Sequence, residues 1–318
     1  ITGPLMEKQW GVPGEELDPE LATTRRLSVS WADLLAGVPL VWRLFSRGIP
    51  VDFLYGRHGA GALMELLARR LRAQGGRLLL GQRPASVEHH AGRITRLLLA
   101  GQDTALQVCR LVSTIPLPDL VALLRPRPPT EILQSARLLR FRDLVVVALV
   151  LDRARVSRDH VTYYPEQCFP FSRTFESKNA SPYMSPPQET VLGFELPCAA
   201  GDEMWRAEDQ DLVHEMAAYC PLVGFDPAEL RGGFVFRVPQ AYPLYELGHR
   251  RHADQVLGWL HRHLANLFVV GRNGLFRLDN MNHALAMGFD LGQHLLRERG
   301  SQTWQRLLGR YARISYID

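Results

Sequence analysis

Residues 269–288 constrain the fold of this 318-residue chain more than any other stretch. Apolar residues at the start of the segment indicate a buried strand, a glycine-containing loop follows, and Asp279 or Asn280 can cap an amphipathic helix. A strand that runs through a loop into a helix presents backbone N–H groups and a positive dipole end to an anion. The same arrangement is common in proteins without ligands. The pattern predicts an α/β region with a candidate binding loop from Gly271 to Asn280.

Composition and length narrow the class of protein. With 46% hydrophobic residues the chain can bury a sizeable core, and its length suggests one large domain or two interleaved domains. The longest apolar run, residues 144–151, suits a buried strand and falls far short of the roughly 20 residues that span a bilayer. A basic stretch followed by an apolar one, as in a signal peptide, is not found at the start. We expect no transmembrane segment and a cytoplasmic location, with a peripheral membrane contact left open.

Charges and cysteines exclude several other classes. The net charge of +4 comes from arginine, since Lys8 and Lys178 are the only lysines, and the basic residues are not interleaved with stacking aromatics, so we expect no nucleic-acid partner. The four cysteines have neither CxxC spacing nor disulfide density, which indicates reduced thiols. Because no histidine pair has partners at zinc spacing and no GxSxG or P-loop occurs, we expect no metal site and neither hydrolase nor phosphotransferase chemistry.

Hydrophobic spacing along the rest of the chain predicts two layers. Residues 30–47 should be helical, and another helix should follow the glycine turn at 56–61. Past the Pro-rich stretch 125–129 the pattern changes to a mostly antiparallel layer that we expect to hold the substrate. The predicted strands are 77–81, 84–90, 93–100 and 106–113 in the first layer, and 143–151, 160–165, 171–176, 190–197 and 234–239, with a helix at 209–219, in the second.

The residues of the 269–288 segment resemble those of one family. They match the C-terminal flavin-binding motif GR-x-G-x-[FY]-x-[FY]-x-[ND]-M-[DN] of the FAD-dependent amine oxidase and protoporphyrinogen oxidase-like superfamily, in the variant shared with UDP-galactopyranose mutase. The resemblance implies that the loop passes the pyrophosphate and ribityl chain of FAD and that the helix points its N-terminus at the isoalloxazine. Leu278 stands where the family usually has an aromatic residue. The residues that match, and that the resemblance assigns to FAD, are Gly271, Arg272, Gly274, Phe276, Asn280 and Met281.

Two other segments extend the resemblance. The strand that begins at Pro84 matches the family's PV-x-x-I with Ala85 in place of valine, which implies a backbone contact between Ala85 and the adenine end of FAD. Residues 170–179 resemble the mutase segment P-[FY]-[ST]-R-[IT]-x-E-x-K and thereby assign Arg173 to the substrate side. A structural ion pair within the Arg-Glu-Lys set and an anion contact from Arg173 both stay open.

A tyrosine pair precedes the return of the chain toward the flavin region. Residues 241–245 resemble the family's [AE]-Y-P-[VI]-Y, which implies that Tyr242 and Tyr245 lie on the substrate side. We expect one of them to line the substrate side of the isoalloxazine and the other to be buried between domains. The alternative is that both only pack, as aromatic residues near a domain junction often do.

The resemblance implies an α/β (α+β) fold, in which a partial Rossmann-like FAD-binding domain of the glutathione-reductase type is interleaved with a mostly antiparallel substrate domain. A GxGxxG motif with an acidic residue about 20 positions later is absent and Ile1 is not an initiator, so we expect a truncated chain that lacks the first βαβ unit. The expected boundaries are 1–50 for a helical segment on the substrate side, 51–125 and 248–300 for the FAD domain, 126–247 for the substrate domain and 301–318 for a tail helix.

The resemblance implies an FAD-dependent oxidoreductase that transfers a hydride from a small-molecule substrate to the flavin. One alternative is a non-redox flavoenzyme of glycan biosynthesis similar to UDP-galactopyranose mutase. Another is an inactive fragment that serves at most as a binding partner. The sequence designates no side chain as a catalytic base.

Overall fold

The computed structural model describes residues 2–19, 21, 54–297 and 301–311. The helix predicted at 30–47, and most of the helical segment predicted at 1–50, lie outside these residues. Among the described residues, no helix is both long enough and apolar enough to cross a membrane.

The described part of the chain contains both helices and strands. The α-helices are α1 (Thr2–Trp10), α2 (Gly59–Ala73), α3 (Leu117–Leu123), α4 (Thr130–Arg137), α5 (Glu203–Arg206), α6 (Asp209–Ala218), α7 (Cys220–Val223), α8 (His249–His263), α9 (Gly271–Leu275), α10 (Met281–Leu296) and α11 (Ser301–Tyr311). The strands are β1 (Pro84–His90), β2 (Arg93–Leu99), β3 (Leu106–Gln107), β4 (Leu111–Ser113), β5 (Leu124–Arg125), β6 (Phe141–Leu151), β7 (Val161–Tyr163), β8 (Arg173–Glu176), β9 (Thr190–Cys198), β10 (Leu230–Pro243) and β11 (Leu267–Val269).

The larger sheet has five antiparallel strands in the order β10-β6-β9-β8-β7. Its long strand β6 contains the apolar run expected at 144–151, and α6 packs against β6 and β10. Phe171 and Phe194 are fully buried in this layer with ring centroids 5.0 Å apart. Each such side chain contributes about 1.5–3 kcal/mol through burial, which helps to hold the sheet together.

A second body combines the mixed sheet β3-β2-β1-β5 with the parallel pair β11–β4. Its core includes buried residues of α3, α4, α8, α10 and α11. The buried side chain of Asn266 joins the two sheets: it accepts a hydrogen bond from Ile94 N at 2.7 Å and donates to the carbonyls of Ile94 and Cys109 at 2.8 and 2.9 Å. This amide fixes β11, and therefore the loop that follows it, relative to the mixed sheet.

The α/β (α+β) class is confirmed, as is the mostly antiparallel second layer. The strand predicted at 77–81 is wrong, because these residues form coil and a turn, pair with no strand in the described part of the chain and leave Leu78, Leu79 and Leu80 exposed. The strand predicted at 106–113 is divided into β3 and β4, since β3 pairs with β2 and β4 pairs with β11.

Candidate functional site

The segment after β11 folds into two helical pieces rather than one open loop. The N–H of Val270 donates to the carbonyl of Ser113 at 3.0 Å, which extends the pairing of β11 with β4 by one residue. The short helix α9 begins at Gly271, and the chain leaves it through Phe276 in the left-handed conformation, with φ of 50°. Helix α10 then begins at Met281, so the loop expected to be open contains a helical turn.

The two motif glycines serve different physical purposes. Gly271 has φ of 79°, a conformation that favours glycine, and no atom lies within 4 Å of the position that a Cβ would occupy. A ligand can therefore approach this part of the backbone. A Cβ on Gly274 would lie 3.1 Å from Cγ1 of Val269 and 3.3 Å from the carbonyl oxygen of Ser113. Gly274 thus lets α9 pack closely on the β4–β11 pair.

The side chain of Arg272 closes the loop that separates the two helices. Its Nε donates to the carbonyl of Asp279 at 2.6 Å, and its Nη2 donates to Oδ1 of Asn280 at 3.2 Å. Asn280 caps α10 through a capping box with His283, which confirms the expected helix start. The Arg272 guanidinium also lies over the ring of Tyr242, 5.3 Å from its centroid. Arg272 therefore connects residues 271–280, which we call the flavin-motif loop, to β10.

A cavity of about 130 Å³ lies where this loop meets α1, β7, β8 and β10. We call it the first cavity. It brings together four residues that the sequence assigned to the cofactor or the substrate, namely Arg173, Tyr242, Arg272 and Asn280. It also contains Leu278, the departure from the aromatic position of the motif. The remaining lining residues are Leu5, Met6, Gln9, Trp10 and Tyr163.

The charge of Arg173 is held by a carboxylate on the neighbouring strand. Nη2 of Arg173 donates to Oε1 of Glu195 at 2.7 Å, and the side chain of Arg173 is 28% exposed. Burial by itself would lower the pKa of Arg173, but the hydrogen bond and charge of Glu195 outweigh burial and raise it. Arg173 is therefore a permanent cation. The sequence left open a structural ion pair within the set Arg173, Glu176 and Lys178. Arg173 pairs with Glu195 instead, and Glu176 accepts hydrogen bonds from the backbone N–H groups of Val156 and Ser157.

Two tyrosine hydroxyls extend the hydrogen-bonding surface of the first cavity. Nη1 of Arg173 donates to the hydroxyl of Tyr163 at 3.4 Å, and Nη2 donates to that of Tyr242 at 3.5 Å. Both contacts are long, and both use the phenolic oxygen as acceptor, so each O–H is left to donate to a ligand. Burial, and then the charge of Glu195, raise the pKa of Tyr242. Tyr242 therefore remains a protonated donor at neutral pH.

Helix α1 forms one wall of the first cavity, and Lys8 fixes that helix. Its Nζ donates to the carbonyls of Tyr164 at 2.8 Å, Glu166 at 2.5 Å and Phe171 at 3.3 Å. These carbonyls belong to the connection between β7 and β8, so one ammonium joins α1 to the strand that carries Arg173. Desolvation lowers the pKa of Lys8.

The other residues assigned from the sequence lie outside the lining of the first cavity. Ala85 is exposed in a bulge of β1 against β2, and Met281 is the half-exposed first residue of α10. Phe276 is buried in the core and packs edge-on against Phe141 with centroids 5.2 Å apart. Tyr245 is 4% exposed and packs edge-on against Trp10. Their contacts with cofactor or substrate stay predictions.

Sequence reasoning did not assign a role to several lining residues. Tyr163 is the direct cross-strand partner of Arg173 in the β7–β8 pair, and that register is not readable from either segment alone. Trp10 is 2% exposed, and its Nε1 has no hydrogen-bond partner within residues 2–19, 21, 54–297 and 301–311. A tryptophan with an unpaired N–H at a cavity is a candidate ligand donor.

The loop fits a phosphate-bearing, flavin-type cofactor on its own geometry. Gly271 offers backbone with clear space, and α10 presents a 16-residue helix whose N-terminal residue is half exposed. The loop and the first cavity lie side by side, so an anionic cofactor at the loop would border the cavity.

The chain belongs to the flavin-containing amine oxidoreductase family, whose sequence profile matches residues 20–235. Its cofactor is FAD. The matched residues end before the 271–281 loop, so the loop motif is a separate observation that agrees with the family. A search of curated proteins found no match.

Solved structures share the fold. Reduced UDP-galactopyranose mutase superposes with a TM-score of 0.74 at 17% identity, over 93% of this chain and 63% of the mutase chain. A provisionally named protoporphyrinogen oxidase from Exiguobacterium sp. 255-15 gives 0.58 at 16% identity, over 76% and 51% of the two chains. Putrescine oxidase bound to putrescine gives 0.54 at 14% identity, over 74% and 53%. The chain thus spans about half to two thirds of the length of these proteins.

Proposed function

We propose that the protein functions as an FAD-dependent oxidoreductase that acts on a small molecule with an anionic oxygen group. The observation that carries this proposal is the convergence of two guanidinium groups and two tyrosine hydroxyls in the first cavity, beside the flavin-motif loop. The family supports the redox class, and the cavity supports the chemistry of the substrate.

Hydrogen-bond donors and positive charge dominate the polar side of the first cavity. Arg173 and Arg272 carry two positive charges and Glu195, which pairs with Arg173, carries one negative charge, so these three groups leave a net charge of +1. The hydroxyls of Tyr163 and Tyr242 add donors. A carboxylate or phosphate oxygen would accept from this set, since charge-assisted hydrogen bonds are the strong ones.

Apolar side chains form another part of the lining. Leu5, Met6 and Leu278 can pack against a hydrocarbon portion of the substrate. The volume of about 130 Å³ suits a portion the size of a single ring, since a cavity of about 150 Å³ holds benzene. We therefore infer a substrate with an anionic end and a compact apolar part.

In this proposal Gly271, Asn280 and Met281 hold the flavin, and Arg173, Tyr163 and Tyr242 orient the substrate. Arg272 keeps the flavin-motif loop closed and adds its positive charge to the first cavity. Bound FAD supplies the acceptor for a hydride from the substrate. The positive N-terminal end of α10 stabilises negative charge placed near Asn280 and Met281. Helix α1, held by Lys8, limits the access of water to the first cavity.

The test compares matched substrates and matched variants. Flavin-loaded protein is mixed anaerobically with pairs of amines that differ only in a carboxylate, and loss of the oxidised flavin absorbance is followed. We expect the anionic member of a pair to reduce the flavin faster. Arg173→Gln should lower the ratio of the two reduction rates by about tenfold to a hundredfold, as expected for the loss of a charge-assisted hydrogen bond.

Arg153 provides the control, because it also pairs with a glutamate, Glu229 at 3.0 Å, and its side chain is 29% exposed, but it lies outside the first cavity. Arg153→Gln should leave the preference unchanged. A protein that binds no flavin, or one whose flavin is reduced equally by both members of every pair, would contradict the proposal.

A second candidate function is a non-redox flavoenzyme similar to UDP-galactopyranose mutase. The two guanidinium groups favour it, because a diphosphate can engage both Arg173 and Arg272. It is distinguished by adding UDP and a UDP-sugar to the flavin-loaded protein. Binding of UDP, together with isomerisation only after the flavin is pre-reduced, would favour this second function over the first.

We also propose a cytoplasmic location. All four cysteines are free, and Cys198 and Cys220 are buried. Free buried thiols in a chain of this length are typical of a reducing compartment. Fractionation of the expressed protein would test this proposal, and recovery from an oxidising compartment would contradict it.

A further inference from the structure

A second cavity, of about 150 Å³, lies between α3 and α4. We call it the α3–α4 cavity. None of its lining residues also lines the first cavity. Its most buried residues are Val121 and Ala136, which are 1% and 3% exposed and belong to the hydrophobic core. The lining is completed by Pro118, Ala122, Arg127, Leu133 and Arg137.

Arg127 and Arg137 give this lining its charge. Both residues are exposed, and neither guanidinium has a hydrogen bond or an ion pair within residues 2–19, 21, 54–297 and 301–311. Among the same residues, no carboxylate belongs to the lining. The two arginines therefore give the α3–α4 cavity a charge of +2.

Charged residues next to the lining do not cancel this charge. Arg125 donates to the carbonyl of Ala122, a lining residue, at 2.7 Å, so a third guanidinium lies beside the cavity. The carboxylates closest in sequence are those of Asp119, which accepts from the side chain of Gln240 at 3.5 Å, and Glu131, which lies about 200° around α4 from the lining residue two positions later. With the three arginines and these two carboxylates all counted, the net charge is still +1.

Guanidinium groups without partners select an oxyanion. The planar fork of an arginine matches the two oxygens of a carboxylate or a phosphate, and hydrogen bonds between such charged groups are the strong ones. Because Arg127 and Arg137 are exposed, water screens each charge and a single pair contributes little. A ligand must therefore also gain from burial of an apolar part.

The remaining lining residues provide that burial. Apart from the two arginines, every lining side chain is aliphatic, and none offers a hydrogen-bonding group. A cavity of about 150 Å³ holds benzene, so the volume fits an apolar body the size of one ring.

We propose that the α3–α4 cavity is a binding site for a small organic acid with a body the size of one ring. The body packs against Val121, Leu133 and Ala136, and the oxyanion pairs with Arg127 and Arg137. This site goes beyond the proposed function, because it shares no lining residue with the first cavity.

Two fluorinated acids are the probes, and each gives a fluorine NMR signal by which a titration is followed. 4-Fluorobenzoate carries a carboxylate and 4-fluorophenyl phosphate a phosphate, so the tighter of the two identifies the oxyanion. 4-Fluorobenzyl alcohol keeps the ring without charge, and 4-fluorobenzylamine reverses the charge. The titrations use the 318-residue protein with Arg173→Gln, so that acid binding at the first cavity is removed. We expect the tighter acid to bind about tenfold more tightly than the alcohol, and the amine to bind more weakly than the alcohol.

Variants locate the binding. Arg127→Gln and Arg137→Gln should each weaken the acid about threefold to fivefold, as the loss of one exposed charge pair does, and the double variant about tenfold or more. Arg137→Lys keeps the charge and should retain part of the affinity that Arg137→Gln loses. Arg69→Gln is the matched control, because Arg69 is also exposed on a helix and unpaired in the described part of the chain. It should leave the affinity unchanged.

A bulky side chain at Ala122 tests the cavity itself. Ala122 is exposed but lines the cavity, so Ala122→Phe should fill the space and abolish acid binding while the melting temperature stays near that of the parent protein. Equal affinities for acid and alcohol, or an equal loss in Arg69→Gln and Arg137→Gln, would mean that the basic surface attracts acids without a site and would overturn the proposal. Absence of binding by both acids, or undiminished binding in Ala122→Phe, would overturn it as well.

Discussion

The buried imidazole of His261 makes the stability of the protein depend on pH in a way that one substitution can remove. Its pKa is lowered by burial from 6.5 to about 4 in the folded protein. In the unfolded chain the group takes up a proton as the pH falls below about 6.5, whereas the folded protein resists protonation until about pH 4. Because the unfolded state binds more protons in this window, stability is present above it and is lost as the pH falls through it.

The size of the effect follows from the two pKa values. The difference between the two pKa values corresponds to about 3 kcal/mol in full, and roughly 2 kcal/mol of it is lost between pH 7.5 and pH 5. Typical folding free energies are about 5–15 kcal/mol, so this loss is measurable. At pH 7.5, His261→Phe should change stability by less than about 1 kcal/mol, because it replaces an unpaired polar ring with an apolar one.

Urea unfolding of wild type and His261→Phe at pH 7.5, 6.5, 5.5 and 5.0 measures this difference. Carboxylates titrate in both proteins, so subtracting the two curves isolates His261. The free energy of unfolding of wild type, measured relative to that of the variant, should decrease steadily as the pH falls, by about 2 kcal/mol in total. His263→Phe, at an exposed position on the same helix, should follow the wild-type curve. A difference in unfolding free energy between wild type and His261→Phe that does not change with pH would refute the reasoning.

Three further predictions concern the first cavity. Arg272→Ala should weaken flavin retention by about 1.5–3 kcal/mol, since it removes the bonds that close the flavin-motif loop; equilibrium dialysis of FAD measures this, and an unchanged dissociation constant would contradict it. Tyr242→Phe should reduce turnover about tenfold with flavin content intact, while Tyr245→Phe, in the core, should alter only thermal stability; wild-type kinetics in both variants would assign both rings to packing. Lys8→Met should lower stability by about 1.5–3 kcal/mol and raise KM, because α1 loses its three carbonyl contacts; an unchanged melting temperature and KM would show that α1 is held by other contacts.

Elements defined by local pattern could be predicted from the sequence. The apolar run at 144–151 forms most of β6, and Asn280 caps the helix that begins at Met281. Both features are local, because caps and periodicity act over a few residues. The α/β (α+β) class and the flavin family followed from such segments. The strand predicted at 77–81 shows the limit of this reasoning, since a strand also requires a partner that its own residues do not specify.

The composition of the site depended on contacts between distant segments. The family motifs indicated Arg272 and Tyr242. Only the structure showed that the Arg272 guanidinium lies 5.3 Å from the centroid of the Tyr242 ring, with Arg173 in the same cavity. The partner of Arg173 proved to be Glu195 because β8 pairs with β9 in a register that places the two residues opposite each other. Tyr242 and Tyr245 are three residues apart, and tertiary packing alone placed one at the cavity and the other in the core. The sequence by itself determined which local elements and which family motif the chain carries, whereas strand register and packing decided which side chains meet, because those choices are made between segments far apart in the chain.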